Sequence, residues 1–141
     1  LARAADLVIF ASNFLVAETS CNLNIIKYTN DNDSETFFIG TKHFGSNHNW
    51  IARTNVKERA LLRNPVLSDT YEEDKIASKA IPSGHYISLM KPLTNAEGVL
   101  VTDEFGRLIS PDRRHLTKYG AIYLGKEIIA TSALHPLLMQ R

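Results

Sequence analysis

The chain has 141 residues, 44% of them apolar, which is the size of one ordinary domain with enough apolar surface to form a core. Sixteen Lys and Arg stand against fifteen Asp and Glu, so the charge gives no electrostatic case for nucleic acid or an anionic membrane as a partner. The single cysteine, Cys21, excludes an intrachain disulfide and leaves a bacterial periplasm or cytoplasm equally open. No apolar run reaches membrane-spanning length and no signal-peptide pattern opens the chain, so a soluble protein is expected.

Residues 6–11 form a short, almost wholly apolar run that reads as a strand buried on both faces, the signature of a parallel sheet covered by helices. A chain that opens in mid-sheet is expected to be the C-terminal part of a longer one. Apolar residues at mixed three and four spacing predict an amphipathic helix over 14–28, ended by the polar turn-formers of 29–34. A second strand at 36–40 completes a strand, helix, strand unit with a right-handed crossover.

The outgoing loop, residues 41–50, lies where ligands collect in open parallel sheets, at the carboxyl ends of the strands. Lys42, His43, Asn47 and Trp50 are its candidate substrate-binding residues. The same stretch also reads as an ordinary hydrogen-bonded surface loop. His43 and His48 are five apart with no third ligand of obvious spacing, so no metal or other cofactor is expected.

Capping residues and a following proline predict a helix over 54–64, and early acidic residues with a late lysine predict another over 68–81. Residues 85–90 alternate as a third strand. Residues 99–101 and 107–109 flank a five-residue connection, as in a hairpin. The closing helix starts with Thr117 as its N-cap, and Gly120 and Gly125 predict close packing against the sheet. There is no internal repeat, and residues 1–141 read as a single domain.

Between the hairpin and the last helix lies Ser110-Pro111-Asp112-Arg113-Arg114-His115-Leu116-Thr117. A histidine acts as a general base when a carboxylate on one ring nitrogen fixes the tautomer and leaves the other nitrogen free, and Asp112 and His115 have the spacing to do so on one tight turn. The same spacing fits a capping aspartate beside a surface histidine.

Ala11-Ser12-Asn13 at a strand end, followed about a hundred residues later by Asp112-Arg113-Arg114-His115-Leu116-Thr117 and Gly120-Ala121, resembles the second half of an SGNH (GDSL-type) hydrolase. The closest likeness is to the SGNH domains associated with acyltransferase-3 proteins, whose terminal pattern is similar to Asp-x-x-His-Leu-Ser/Thr-x-x-Gly-Ala. The resemblance implies a flavodoxin-like α/β fold, three layers with a parallel sheet flanked by helices, incomplete at the N-terminus. It implies His115 as catalytic base, Asp112 as its orienting carboxylate and Asn13 as an oxyanion donor, with Ala11 where the family has glycine.

The family's Gly-Asp-Ser nucleophile motif is absent from these residues, and no Gly-x-Ser-x-Gly elbow replaces it. Ser12 is nearest in kind, being at a strand end. The resemblance therefore implies a serine-dependent esterase or O-acyltransferase acting on small acyl groups, such as acetyl, of a carbohydrate, its serine lying upstream of Leu1. A non-catalytic glycan- or protein-binding module of the same fold is the alternative. A metal-dependent hydrolase using His43, His48 and His115 ranks last.

Overall fold

The computed structural model describes residues 5–11 and 19–139. Two small sheets organise the chain. The first is parallel, with strand order β1 (Leu7–Ala11), β2 (Glu35–Ile39), β4 (Tyr86–Ile87). The second is antiparallel, with order β3 (Arg63–Asn64), β6 (Gly98–Leu100), β5 (Thr94–Asn95). Among the described residues six α-helices accompany them: α1 (Thr19–Asn30), α2 (Asn49–Arg53), α3 (Ser68–Ala80), α4 (Met90–Leu93), α5 (Lys118–Thr131) and α6 (Leu134–Met139). The result is a mixed α/β protein with a small parallel sheet and helices.

Successive side chains of a strand point to opposite faces, and Phe37 and Phe38 of β2 are both buried. Phe38 packs with Ile26 of α1 and Ile81 just past α3, while Phe37 packs with Ile87 and Leu134 of α6. Helices therefore cover both faces of β2, and it is this strand that is buried on two sides. The first strand was expected to be. It is instead an outer strand, with Ile9 46% exposed and Phe10 stacked on Phe38 at a centroid distance of 5.2 Å.

The largest apolar cluster lies under the antiparallel sheet, where Phe44, Met90, Leu93, Val101, Ile109 and Leu124 are all buried. It joins the loop after β2 to the hairpin and to α5. A hairpin forms here with a shorter turn than expected: Ile109 N–H donates to Val101 O and Asp103 N–H to Arg107 O, both at 2.9 Å, while Val99 and Leu100 pair with β5 and β3 instead. Asp103 closes its turn, accepting the amides of Phe105 and Arg107 and the Arg107 guanidinium at 2.7 Å.

Two further elements depart from the sequence-based expectation. Residues 54–64 are not a helix: one 3-10 turn (Val56–Glu58) is followed by extended chain. Tertiary partners override propensity there. Leu61 and Leu62 donate to Asp103 O and Thr102 Oγ1, Val101 donates to Leu62 O, and Leu61 takes a left-handed φ of 56° to make the turn. The third strand shrinks to two residues because Met90 starts α4. Of the two helical glycines only Gly120 needs its missing side chain, since a Cβ there would lie 1.9 Å from Ile109 O, whereas one on Gly125 meets nothing within 4 Å.

Helix α1 is described from Thr19 onward, so the predicted start near residue 14 lies outside the described residues. No helix among the described residues is long and apolar enough to cross a membrane.

Candidate functional site

Asp112 does two things at once. Its Oδ1 accepts the backbone amides of Arg114 and His115, each at 2.8 Å, as a capping aspartate does. Its Oδ2 lies 2.7 Å from Nδ1 of His115. The capping and the orienting readings of Asp-x-x-His are thus both satisfied by one carboxylate. Two backbone amides and then the imidazole stabilise its charged form, which holds its pKa well below the usual carboxylate range. An ionised Oδ2 can only accept, so Nδ1 carries the proton and Nε2 is the ring nitrogen left free. The His115 side chain is 80% exposed and that of Asp112 50%.

The backbone beneath the pair is fixed from both ends. Ser110 is fully buried, and its hydroxyl is shared between the carbonyls of Asp112 and His115 while accepting from Asp112 N–H at 3.2 Å. Thr117 donates its hydroxyl to Leu108 O and accepts Gly120 N–H at 3.0 Å, the N-cap expected of it. Gly120 lets α5 start directly against Ile109. The free imidazole is therefore carried on a rigid support.

The loop over residues 41–50 packs beside this turn. Phe44 N–H donates to Arg113 O at 2.9 Å, and Arg113 Nε reaches Ser46 O at 3.3 Å. The buried Asn64 holds the loop from inside: its Nδ2 donates to Phe44 O and Asn47 O, at 2.8 and 3.1 Å, and its Oδ1 accepts the Trp50 indole N–H at 2.8 Å. Gly45, at φ +85°, is pressed against Asn64, where a Cβ would lie 2.6 Å from the side chain. Sequence reasoning missed Asn64, because it read as the tail of a helix; nothing local marks an asparagine whose partners are 14 to 20 residues away.

Most of the polar atoms expected to face a substrate serve the loop instead. The indole of Trp50 is half-buried on the main apolar cluster with its N–H on Asn64, and Asn47 Oδ1 accepts Asn49 N–H at 2.8 Å. His43 is buried, its Nδ1 accepting Gly45 N–H at 3.0 Å. Burial, then the charges of Arg114 and Arg113, lower its pKa and so favour its neutral form. Lys42 is half-buried at the base of the loop.

His48 precedes α2, and its buried Nε2 has no partner among the described residues. Burial lowers its pKa against the opposing pull of Asp112. No group of three His, Cys, Asp or Glu that could hold a metal ion occurs among the described residues.

Asn13 and Ser12 lie outside the described residues. The register does place Ala11 beside Ile39, so the chain leaves β1 next to the point where β2 runs on toward the loop and the Asp112 turn. Two cavities, of about 980 and 470 Å³, lie elsewhere, and neither is lined by His115 or Asp112. No protein-family model matches the chain, and no curated protein and no solved structure matches it.

Proposed function

We propose that the chain carries the base and its orienting carboxylate of an SGNH-type serine esterase or O-acyltransferase, acting on small acyl groups, such as acetyl, of a carbohydrate. The observation that supports this most is the 2.7 Å contact between Asp112 Oδ2 and His115 Nδ1, with the opposite ring nitrogen unpartnered among the described residues. In this reading Nε2 of His115 takes the proton of a serine hydroxyl as that oxygen attacks the ester carbonyl. The same nitrogen then returns the proton to the leaving alcohol, while Asp112 steadies the imidazolium formed between the two steps. Asn13 donates to the oxyanion. This reading requires a nucleophilic serine from outside these residues, which lack the Gly-Asp-Ser motif.

The test is p-nitrophenyl acetate turnover by the protein extended upstream of Leu1, against its His115→Ala variant. Loss of the general base is expected to slow turnover by about 10²- to 10⁴-fold. Equal rates, or no turnover by either protein, would retire the enzyme. A binding module of the same fold would then remain, a reading favoured by cavities that lie away from His115.

A further inference from the structure

A cavity of about 980 Å³ runs along β4, the outer strand opposite β1, between Asp74 of α3 and Glu127 of α5. A second, of about 470 Å³, adjoins it, since Tyr71 and Thr94 line both. Together they form an extended groove with Tyr71, 43% exposed, standing in the middle.

At the wall of the larger cavity is a polar group the proposed chemistry does not use. Asp74 is only 6% exposed, and its carboxylate accepts the Tyr86 hydroxyl at 2.7 Å and the Ser88 hydroxyl at 2.6 Å. No cation is paired with it among the described residues; the neighbouring Lys75 turns to Glu72, 3.6 Å away. A buried carboxylate that accepts two hydroxyls still has about two acceptor positions left, and at the wall of this cavity they are available to the donors of a ligand. Burial pushes its pKa up accordingly.

Gly40 is shaped to the same cluster, for a Cβ there would lie 2.2 Å from the Tyr86 hydroxyl and 2.9 Å from Asp74 Oδ1. Gly40 follows directly on β2 and Ser88 on β4, so the cluster sits at the carboxyl ends of the parallel strands, where open α/β sheets hold their ligands.

The lining selects the ligand. Lys75 and Lys91 offset Asp74 and Glu127 in the larger cavity, and Glu97 of the smaller one pairs with Arg63 at 3.8 Å, so neither a cation nor an anion is favoured over the whole groove. Beside these charges stand the hydroxyls of Ser78, Ser83, Ser88 and Thr94, the exposed ring of Tyr71, and small apolar surfaces such as Pro92 and Val66. Such a set matches hydroxyl groups on one edge of a ligand and an apolar face on the other.

We propose that this groove binds a neutral carbohydrate chain, with Asp74 and its two hydroxyl partners as the polar anchor and Tyr71 as the platform for a sugar face. The proposal takes its ligand class from the reading above but not its chemistry, and it is measured as binding without turnover. Ester cleavage can therefore fail while the groove still binds, and the reverse.

The experiment is an amide-resolved NMR titration of the 141-residue protein with cellohexaose, xylohexaose and hexa-N-acetylchitohexaose, and with hexagalacturonate as the charged comparator. At least one neutral hexasaccharide is expected to shift the amides of Tyr71, Asp74 and Ser88 saturably. Asp74→Asn, which keeps the volume, and Tyr71→Ala, at an exposed position that does not threaten folding, are each expected to weaken that binding about tenfold, on the scale of one lost hydrogen bond or stacking contact. Absence of saturable shifts with all three neutral sugars would overturn the proposal. So would unchanged affinity in Tyr71→Ala, or equally tight binding of hexagalacturonate.

Discussion

Asp112 and His115 share a single turn in which one carboxylate both closes the backbone and grips the imidazole, Oδ1 on two amides and Oδ2 on Nδ1 at 2.7 Å. A carboxylate so held stays ionised into acid. Because its folded pKa lies below the ordinary 3.8, its contribution to stability is fully present above that value and is lost only as the pH falls through the lower folded value. The carboxyl carbon of Asp112, followed by NMR, is expected to show the ionised shift still at about pH 3. A midpoint at or above the ordinary value would mean that the turn is not formed in solution.

Asp74 has the opposite sign. Its folded pKa is raised, so the folded state holds its proton more tightly than the unfolded chain, and this group's contribution falls as the pH rises through and above 3.8. Asp74→Asn removes that dependence. In urea unfolding, the variant is expected to gain on the wild type in relative terms between acid and neutral pH, and a difference that does not change with pH would contradict the burial of the charge.

The two glycines of α5 make a paired test of packing. Gly120→Ala drives a methyl into Ile109 O and is expected to cost about 1–3 kcal/mol, since backbone cannot step aside as a side chain can. Gly125→Ala meets nothing and is expected to stabilise by about 0.5–1 kcal/mol through helix propensity. Equal effects in denaturant titrations would show that the helix does not start against Ile109.

Asn64→Ala leaves two carbonyls and the Trp50 indole without their partner. The expected loss is about 2–4 kcal/mol, from removal of buried hydrogen bonds to groups that then stay unpaired. Trp50 is the only tryptophan, so its emission reports the loop directly and is expected to shift to the red in the folded variant. An unshifted spectrum with unchanged stability would place the loop's support elsewhere.

What could be read from the sequence was what is local. The Thr117 cap, the hairpin around Asp103, helix α3 and the contact of Asp112 with His115 each depend on residues a few positions apart, and each appears where the pattern put it. Residues 54–64 carried helix-like caps but were bent into a 3-10 turn, a second turn at Leu61 and a short strand, held by partners near residue 102, some 40 positions on. The loop over 41–50 could be read by residue type as a substrate wall or as a hydrogen-bonded surface loop, and the Trp50 indole N–H is taken by Asn64 while Asn47 Oδ1 accepts Asn49 N–H within the loop. The Asp74 cluster went unread for the same reason: in sequence it is an acidic residue in an acidic first half of a helix, and only the fold brings Tyr86 and Ser88 to it.

Ester turnover through this turn requires that Asp112 and His115 act as one unit. The most direct measurement is a double-mutant cycle on p-nitrophenyl acetate turnover, in the protein extended upstream of Leu1, with Asp112→Asn, His115→Ala and the pair. Groups that work through one another are not additive. Asp112→Asn is expected to slow turnover by about 10²- to 10⁴-fold, and to add no more than about twofold once His115 is gone. Turnover by Asp112→Asn within about twofold of the wild type, or two losses that multiply, would contradict it.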